Sequence, residues 1–500
     1  MKTIATIKIE KLVFPHREEP VLKNIDFEIN QGDFIVITGG TASGKSALLH
    51  TITGAVPHYY HAELTGKVTI MGQDIKDMRL NRMSDYVGYM MQEPQNQIIS
   101  TDIYEDVSFG LGNLEISKKQ IDQTVKSVLE FVGLKGYEKR KTNALSGGQA
   151  QRVVLAGILA LNAPILILDQ PTAELDPLGR SELYQRLGQL NKAQNLTIVL
   201  VMDRIEEVIK FANKVFYMEN GEMAKQYSPE EYYQEQKELV KKRLKLNMPL
   251  KADSSKPNEV IAKAAHASYQ YKNNLTGCED VNLDIYKGDI LAIVGLNGSG
   301  KSTLAKMLIG LLKPSNGEIQ VFDCPVRKEN LKKIRSHTGF LFQNPDYQIF
   351  ASTLEEEVGF SLKLRGEGKE VIDQKVDESL QFVGLLDYKT MHPQRLSRGQ
   401  RQLLALASIL VSEPEFIIAD EPTTGLDQNQ GYMIMEKLAD LSRAGKTVLV
   451  ITHDLTMAKY YANRLVAMHN HRIKLDILTK DLDWYLDALK NIGLNFENVI

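Results

Sequence analysis

The segment IVITGGTASGKSALL at 35–49 returns as LAIVGLNGSGKSTLA at 291–305, so that Lys45 and Lys301 stand 256 residues apart. An internal repeat near half length constrains the fold more than any local motif, because each copy must be a unit that buries its own core. Three further strings recur in the same order: MMQEPQNQI as LFQNPDYQI, LSGGQAQR as LSRGQRQL, and LILDQPTAELD as IIADEPTTGLD. The pairs Gln92/Gln343, Ser146/Ser397 and Asp169/Asp420 are each offset by 251, so the first copy carries five extra residues, within AVPHYYHAE. The 500 residues therefore divide into a first domain at 1–240, a linker at 241–258, a second domain at 259–475 and a tail at 476–500 that holds the only tryptophan, Trp484. The stretch QEQKELVKKRLKLNMPLKADSSKPN reads as a charged helix running into a Pro/Ser/Lys connector.

Composition removes several classes of function. With 60 Lys+Arg against 63 Asp+Glu the net charge is −3, without the basic excess by which nucleic-acid binders displace counterions, and no nucleic-acid partner is expected. Two cysteines, Cys278 and Cys324, cannot form a disulfide framework and suit a reducing compartment. No apolar run approaches the roughly 20 residues of a membrane span, and the start MKTIATIKIEKL lacks the apolar stretch of a signal peptide. The expectation is a cytosolic protein or the cytosolic part of an assembly.

Gly39-x4-Gly44-Lys45-Ser46 and Gly295-x4-Gly300-Lys301-Ser302 each follow a β-branched apolar run and precede a helical pattern. That strand, loop and helix context predicts phosphate-binding loops spanning Ala47 in the first copy and Asn297, Gly298 and Thr303 in the second. Glycines let backbone amides curl round a phosphate, the helix N-terminus adds partial positive charge, the lysine neutralises β/γ oxygens and the serine hydroxyl ligates Mg²⁺. ATP and Mg²⁺ are the expected cofactors. A later apolar strand ends in Asp169 in the first half and Asp420 in the second, the position from which an aspartate beside such a loop holds Mg²⁺.

LSGGQ at 145–149, just ahead of the strand ending in Asp169, separates the chain from other P-loop proteins. With five ordered motifs per half, the sequence resembles the ATP-binding subunits of ABC transporters from end to end. The resemblance implies an α/β fold of two tandem P-loop ATPase domains, each with a mostly parallel core sheet, an antiparallel β subdomain and a helical subdomain. It further implies that the domains pair head to tail, so that each ATP lies between the P-loop of one and the signature of the other: Ser146, Gly147 and Gly148, or Ser397 and Gly399. A narrower likeness rests on FQNPDYQIFASTLEEEVGF, its partner MQEPQNQIISTDIYEDVSFG and VPHYY. These strings look like the ATPases of energy-coupling factor importers, which serve a shared transmembrane component and a separate substrate-binding membrane protein. By that resemblance Gln92 and Gln343 contact Mg²⁺ and the attacking water, Phe14 and Tyr271 stack on adenine, and the chain sits peripherally on the cytoplasmic face of the membrane.

The copies differ where catalysis is expected. After the Mg²⁺ aspartate the second half has Glu421, able to polarise water, and the first has Gln170, an amide that cannot accept a proton. The family's histidine for the terminal phosphate matches His453. The first half offers Met202 or, aligned without gaps on Thr197 and Thr447, Asp203, whose carboxylate would repel a phosphate. The signature differs too, LSRGQ in the second half against LSGGQ in the first. All departures fall in one composite site: Lys45, Ser46, Gln92, Asp169, Gln170 and Asp203 opposite Ser397 and Gly399. The intact set is Lys301, Ser302, Gln343, Asp420, Glu421 and His453 opposite Ser146, Gly147 and Gly148. Two rival readings are a tandem sugar-importer ATPase, against which FQNPD-x-QI counts, and a soluble tandem ABC translation factor. The second rival requires a long basic arm, whereas 228–258 hold 7 Lys+Arg and 5 Asp+Glu.

Overall fold

The apolar runs that open the two P-loops, Phe34–Gly39 and Ile290–Gly295, are buried at every position, so each must lie in a sheet covered on both faces. The computed structural model describes residues 2–15, 17–114, 116–172, 175, 177–203, 205, 207–247, 259–272 and 275–496. These fall into two compact units that divide between Glu238 and Leu239. The helix Pro229–Asn247 spans that division, and 248–258 of the expected linker lie outside the described residues.

In the first unit the six-stranded sheet runs Glu222–Tyr227, Lys214–Glu219, Phe34–Gly39, Thr197–Val201, Ile165–Asp169, Val87–Met90. Only its Glu222–Tyr227 edge pairs antiparallel. A separate antiparallel sheet orders Leu22–Asn30, Thr3–Val13, Glu63–Ile70 and Gln73–Asp74. Strand alternation distributes the core: Ile35 and Ile37 pack with Ile7, Ile9 and Val68 of the antiparallel sheet, while Phe34 and Val36 pack on the helical side with Val153 and Leu187. The second unit repeats this order, with Ile290–Gly295 between Thr447–Ile451 and Arg464–His469, and Leu291 and Ile293 facing its own antiparallel sheet.

Each unit carries a helical arm: Ile103–Ser108, Lys118–Phe131 and Gly147–Ala160 in the first, Leu354–Arg365, Lys369–Val383 and Arg398–Leu410 in the second. The first-half leading helix is half as long because Gly110 and Gly112 stand where the second half has Ser361 and Lys363, and glycine costs about 1 kcal/mol in a helix interior. In the tail, the strand Arg472–Leu478 completes the sheet, and Leu482, Leu489, Leu494 and Phe496 are buried in the second unit's core while Trp484 is exposed. Both cysteines are free, Cys278 buried and Cys324 half-buried. Among the described residues no helix is long and apolar enough to cross a membrane.

The two P-loops open at the carboxyl edge of the parallel strands, where Gly39 lies beside Met218 and Asp169 beside Val201. Open α/β sheets bind ligands at that edge.

Candidate functional site

Both P-loops are shaped by left-handed backbone. Gly44 (φ 100°) and Gly300 (φ 103°) cap the helices Lys45–Ile52 and Lys301–Leu308, and a Cβ on Gly300 would lie 2.4 Å from the Gly277 carbonyl. Gly298 (φ 79°) corresponds to Ala42, which takes φ 63° in spite of its methyl group. The lysines fold back onto their loops: Lys45 Nζ donates to the Gly39 and Gly40 carbonyls at 2.6 and 2.9 Å, and Lys301 Nζ to those of Gly295 and Leu296 at 2.8 and 3.0 Å. Ser43 Oγ and Ser299 Oγ, repeat-equivalent, are buried without a hydrogen-bond partner. An unsatisfied hydroxyl at the same place in both loops, under glycine-opened backbone, fits a phosphate ligand. Asn297 is exposed at the loop tip, whereas Ala47 and Thr303 are buried at the helix starts. Tyr271 Oη is bonded to Thr303 Oγ1 at 3.0 Å, which sets its ring beside the P-loop; Phe14 is half-buried against the antiparallel core.

In the second half Ser302 Oγ donates to Asp420 Oδ1 at 3.0 Å. Burial, reinforced by the neighbouring Glu421, pushes the Asp420 carboxyl up despite that bond. Glu421 takes φ 50°, its N–H held by the Ile451 carbonyl at 2.9 Å. Its Oε2 lies 2.8 Å from His453 Nδ1 and accepts from Thr424 Oγ1 at 3.2 Å. Burial alone would raise Glu421, but the facing His453 and its hydrogen bonds outweigh it and hold the carboxyl below its ordinary value, hence ionised. Gln343 lies exposed on its loop.

The first half builds the same frame with other groups. Gln170 takes φ 48° and its N–H is held by the Val201 carbonyl at 2.8 Å, so its backbone duplicates that of Glu421. Its Nε2 donates to Asp203 Oδ2 at 2.8 Å and its Oε1 accepts from Gln92 Nε2 at 3.2 Å. Asp203 Oδ1 lies 3.2 Å from Lys45 Nζ. Of the two candidates for the histidine's place, Met202 is packed into the core and Asp203 reaches the site. Burial, with Asp203 adding to it and Lys45 opposing, pushes the Asp169 carboxyl up to about 7.

A model of the ABC transporter family matches residues 22–173 and again 278–424. The chain belongs to the ABC transporter family. It is an ABC ATPase with two tandem ABC domains. A provisionally named ABC transporter ATP-binding protein of Caldanaerobacter subterraneus subsp. tengcongensis is 31% identical over 99% of this chain and 95% of its own length. A provisionally named counterpart in Methanosarcina acetivorans is 32% identical over 98% of this chain and 89% of its own. Among solved structures, cbiO1 from Clostridium perfringens, described as part of the ABC transporter complex cbiONQ, aligns with 47% of this chain and 95% of its own at 31% identity and a TM-score of 0.44.

In this ABC ATPase both signature serines are helix N-caps. Ser146 Oγ accepts from the Gln149 N–H at 3.3 Å and Ser397 Oγ from the Gln400 N–H at 3.2 Å, each in a capping box that leaves the hydroxyl proton to donate outward. Gly147 and Gly148 open the first-half helix, and Arg398 and Gly399 the second. The Arg398 guanidinium lies against Gly425, where a Cβ would come within 2.7 Å of it. Sequence reading passed over the glutamines that wire these helices to the site. Gln402, 2% exposed, donates to the Phe342 carbonyl at 3.1 Å, and its equivalent Gln151 donates to that of Pro171. Gln348 ties the FQNPD-x-QI loop to the Ala405 carbonyl and Ser408 Oγ. Each recurs as glutamine at the repeat offset of 251, Gln151 with Gln402 and Gln97 with Gln348, the signal that could have found them, since a buried amide needs partners.

Proposed function

We propose that this ABC ATPase is the motor of an energy-coupling factor type importer, with ATP hydrolysed at the second-half P-loop and bound with little or no turnover at the first. The observation that carries the asymmetry is the contact between Glu421 and His453 at 2.8 Å, where the first half has Gln170 and Asp203. Glu421, kept ionised, can take a proton from water, and Gln170 can only orient one. By the family resemblance, ATP on Lys301 and Ser302 meets Ser146, Gly147 and Gly148 across a head-to-tail pair, and ATP on Lys45 and Ser46 meets Ser397 and Gly399. Ser302, Asp420 and Gln343 would hold Mg²⁺ in the working site, and Ser46, Asp169 and Gln92 in the other. A bound Mg²⁺ supplies positive charge to the phosphates. Phe14 and Tyr271 are assigned to adenine.

The membrane partners are argued from the surface. Ile99 and Phe109 in the first half are 61% and 59% exposed, and their repeat equivalents Phe350 and Phe360 are 65% and 41% exposed, with ring centroids 4.7 Å apart. Each pair flanks the loop after Gln92 or Gln343, and matched apolar patches beside a catalytic loop suit a partner that engages both halves. We assign them to helices of an integral membrane component that acts with a substrate-binding one, which places the chain at the cytoplasmic face of the membrane. Turnover of the whole complex tests the asymmetry: Glu421→Gln should cut ATP hydrolysis at least 100-fold and Gln170→Ala less than twofold, in line with the rate supplied by a general base. Comparable losses would refute it. Recovery of an integral membrane substrate-binding protein with the chain from mild detergent tests the importer reading, and recovery of ribosomes instead would sink it.

A further inference from the structure

Asp203 makes contacts at the first-half P-loop that a terminal phosphate would be expected to make. One carboxylate oxygen lies 3.2 Å from Lys45 Nζ, the amine that such loops direct at β/γ oxygens. The other accepts from Gln170 Nε2 at 2.8 Å, and Gln170 in turn accepts from Gln92 at 3.2 Å. The P-loop, the ends of the strands Thr197–Val201 and Ile165–Asp169 and the loop of Gln92 are thereby joined through one anion supplied by the chain. The Lys45 and Asp203 side chains are only 10% and 13% exposed, so the ion pair is weakly screened by solvent. Asp169 adds a second buried carboxylate beside Lys45.

A nucleoside triphosphate entering this site must displace Asp203 from Lys45 and leave its carboxylate beside the γ-phosphate, like charge against like in a poorly screened pocket. A nucleoside diphosphate ends one phosphate earlier and leaves Asp203 free to keep its bond to Gln170. At the repeat-equivalent position the second half carries His453, a side chain able to donate to a phosphate.

We propose that the first-half site prefers nucleoside diphosphate to triphosphate, with Asp203 standing in for the terminal phosphate, so that the ATP it binds without turnover is held more weakly than ADP. This rests on the reading that the first half does not turn ATP over. It assigns to Asp203 a specificity role, setting the balance between ADP and ATP in the first half while the second hydrolyses ATP.

The test is equilibrium dialysis of ADP and ATP, each with Mg²⁺, against the full chain carrying Lys301→Ala, so that only the first-half site is read. The expected ratio of Kd for ATP to Kd for ADP is at least 10, falling by tenfold or more in Asp203→Asn, chiefly through tighter ATP. A ratio at or below one with Asp203 present, or one that moves less than twofold in Asp203→Asn, overturns the proposal. The mirror variant guards against a folding failure: His453→Asp in a Lys45→Ala chain should raise the second-half ratio at least tenfold, and no rise would count against the role of the carboxylate. Binding is read without turnover, so a failed ratio leaves the hydrolytic asymmetry standing. Equal rate losses from Glu421→Gln and Gln170→Ala would sink that asymmetry whatever the ratio.

Discussion

Gln170 and Glu421 occupy one backbone conformation, φ 48° and 50°, each with its N–H on the carbonyl of the neighbouring strand. What they touch has changed together: Glu421 faces His453 at 2.8 Å and Gln170 faces Asp203 at 2.8 Å. In the second half the acid follows the strand-end aspartate and the nitrogen donor lies just past the end of the neighbouring strand Thr447–Ile451; in the first half the amide donor and the acid have exchanged places. The pair remains satisfied, so the fold loses nothing by the exchange, while the group able to accept a proton has moved from the strand-end side to the P-loop lysine. Divergence of function in this repeat is thus carried by side chains on an unchanged frame.

The strongest way to break that comparison is to reverse it. In a Glu421→Gln background, Gln170→Glu together with Asp203→His should restore ATP turnover by at least tenfold, because a general base supplies factors of about 10² to 10⁴. Either change alone should recover little. Gln170→Glu by itself would set two carboxylates against each other, and Asp203→His by itself leaves no base. Steady-state phosphate release checks all three, and full rescue by a single substitution would show that the two residues do not work as a pair.

How much of this was legible follows from what each residue does. The P-loops, the strand-end aspartates and the signatures could be read because their chemistry needs particular residue types at fixed spacing, and the structure assembles the expected α/β frame around them. Gln170 was legible for the same reason. The sequence offers Met202 or Asp203 for the histidine's place and favours Asp203 only through an ungapped alignment; the two point opposite ways past the end of a strand, with Met202 buried in the core and Asp203 on Lys45. Sequence reading expected the Asp203 carboxylate to repel a phosphate and did not foresee that the same charge would occupy the lysine. Pairing across 158 residues depends on sheet order, and no local pattern carries it. The buried leucines of the tail were hidden likewise, because seven residues around Trp484 are largely polar or exposed.

A smaller effect concerns the proton on Asp169. The Asp169 carboxyl is raised from its ordinary 3.8 to about 7 by burial and by Asp203, so the folded state prefers it protonated. A raised carboxyl leaves stability intact below the unfolded value near 3.8 and removes it as pH climbs toward 7. The full rise converts to about 4 kcal/mol as an upper bound, of which we expect roughly half. Asp169→Asn should therefore stabilise the nucleotide-free protein by about 2 kcal/mol at pH 8 and leave it unchanged at pH 4, read by urea unfolding at the two pH values. A gain equal at both would assign the effect to packing.

The smallest contrast lies in the P-loops themselves. Ala42 and Gly298 are repeat equivalents in left-handed backbone, φ 63° and 79°, and a Cβ on Gly298 would meet nothing within 4 Å. Any difference between them is then backbone strain without steric clash. A left-handed residue with a Cβ costs about 1–2 kcal/mol, and part of that is recovered because alanine has less freedom to lose on folding than glycine. Ala42→Gly should stabilise the first half by about 0.5–1 kcal/mol and Gly298→Ala should destabilise the second by the same amount, measured as shifts of the denaturation midpoint at constant slope. Effects of equal size and opposite sign would place the strain in the loop itself. A loss from Ala42→Gly would mean instead that the methyl group makes a contact in the first half that the second does without, and the two loops would no longer count as one frame.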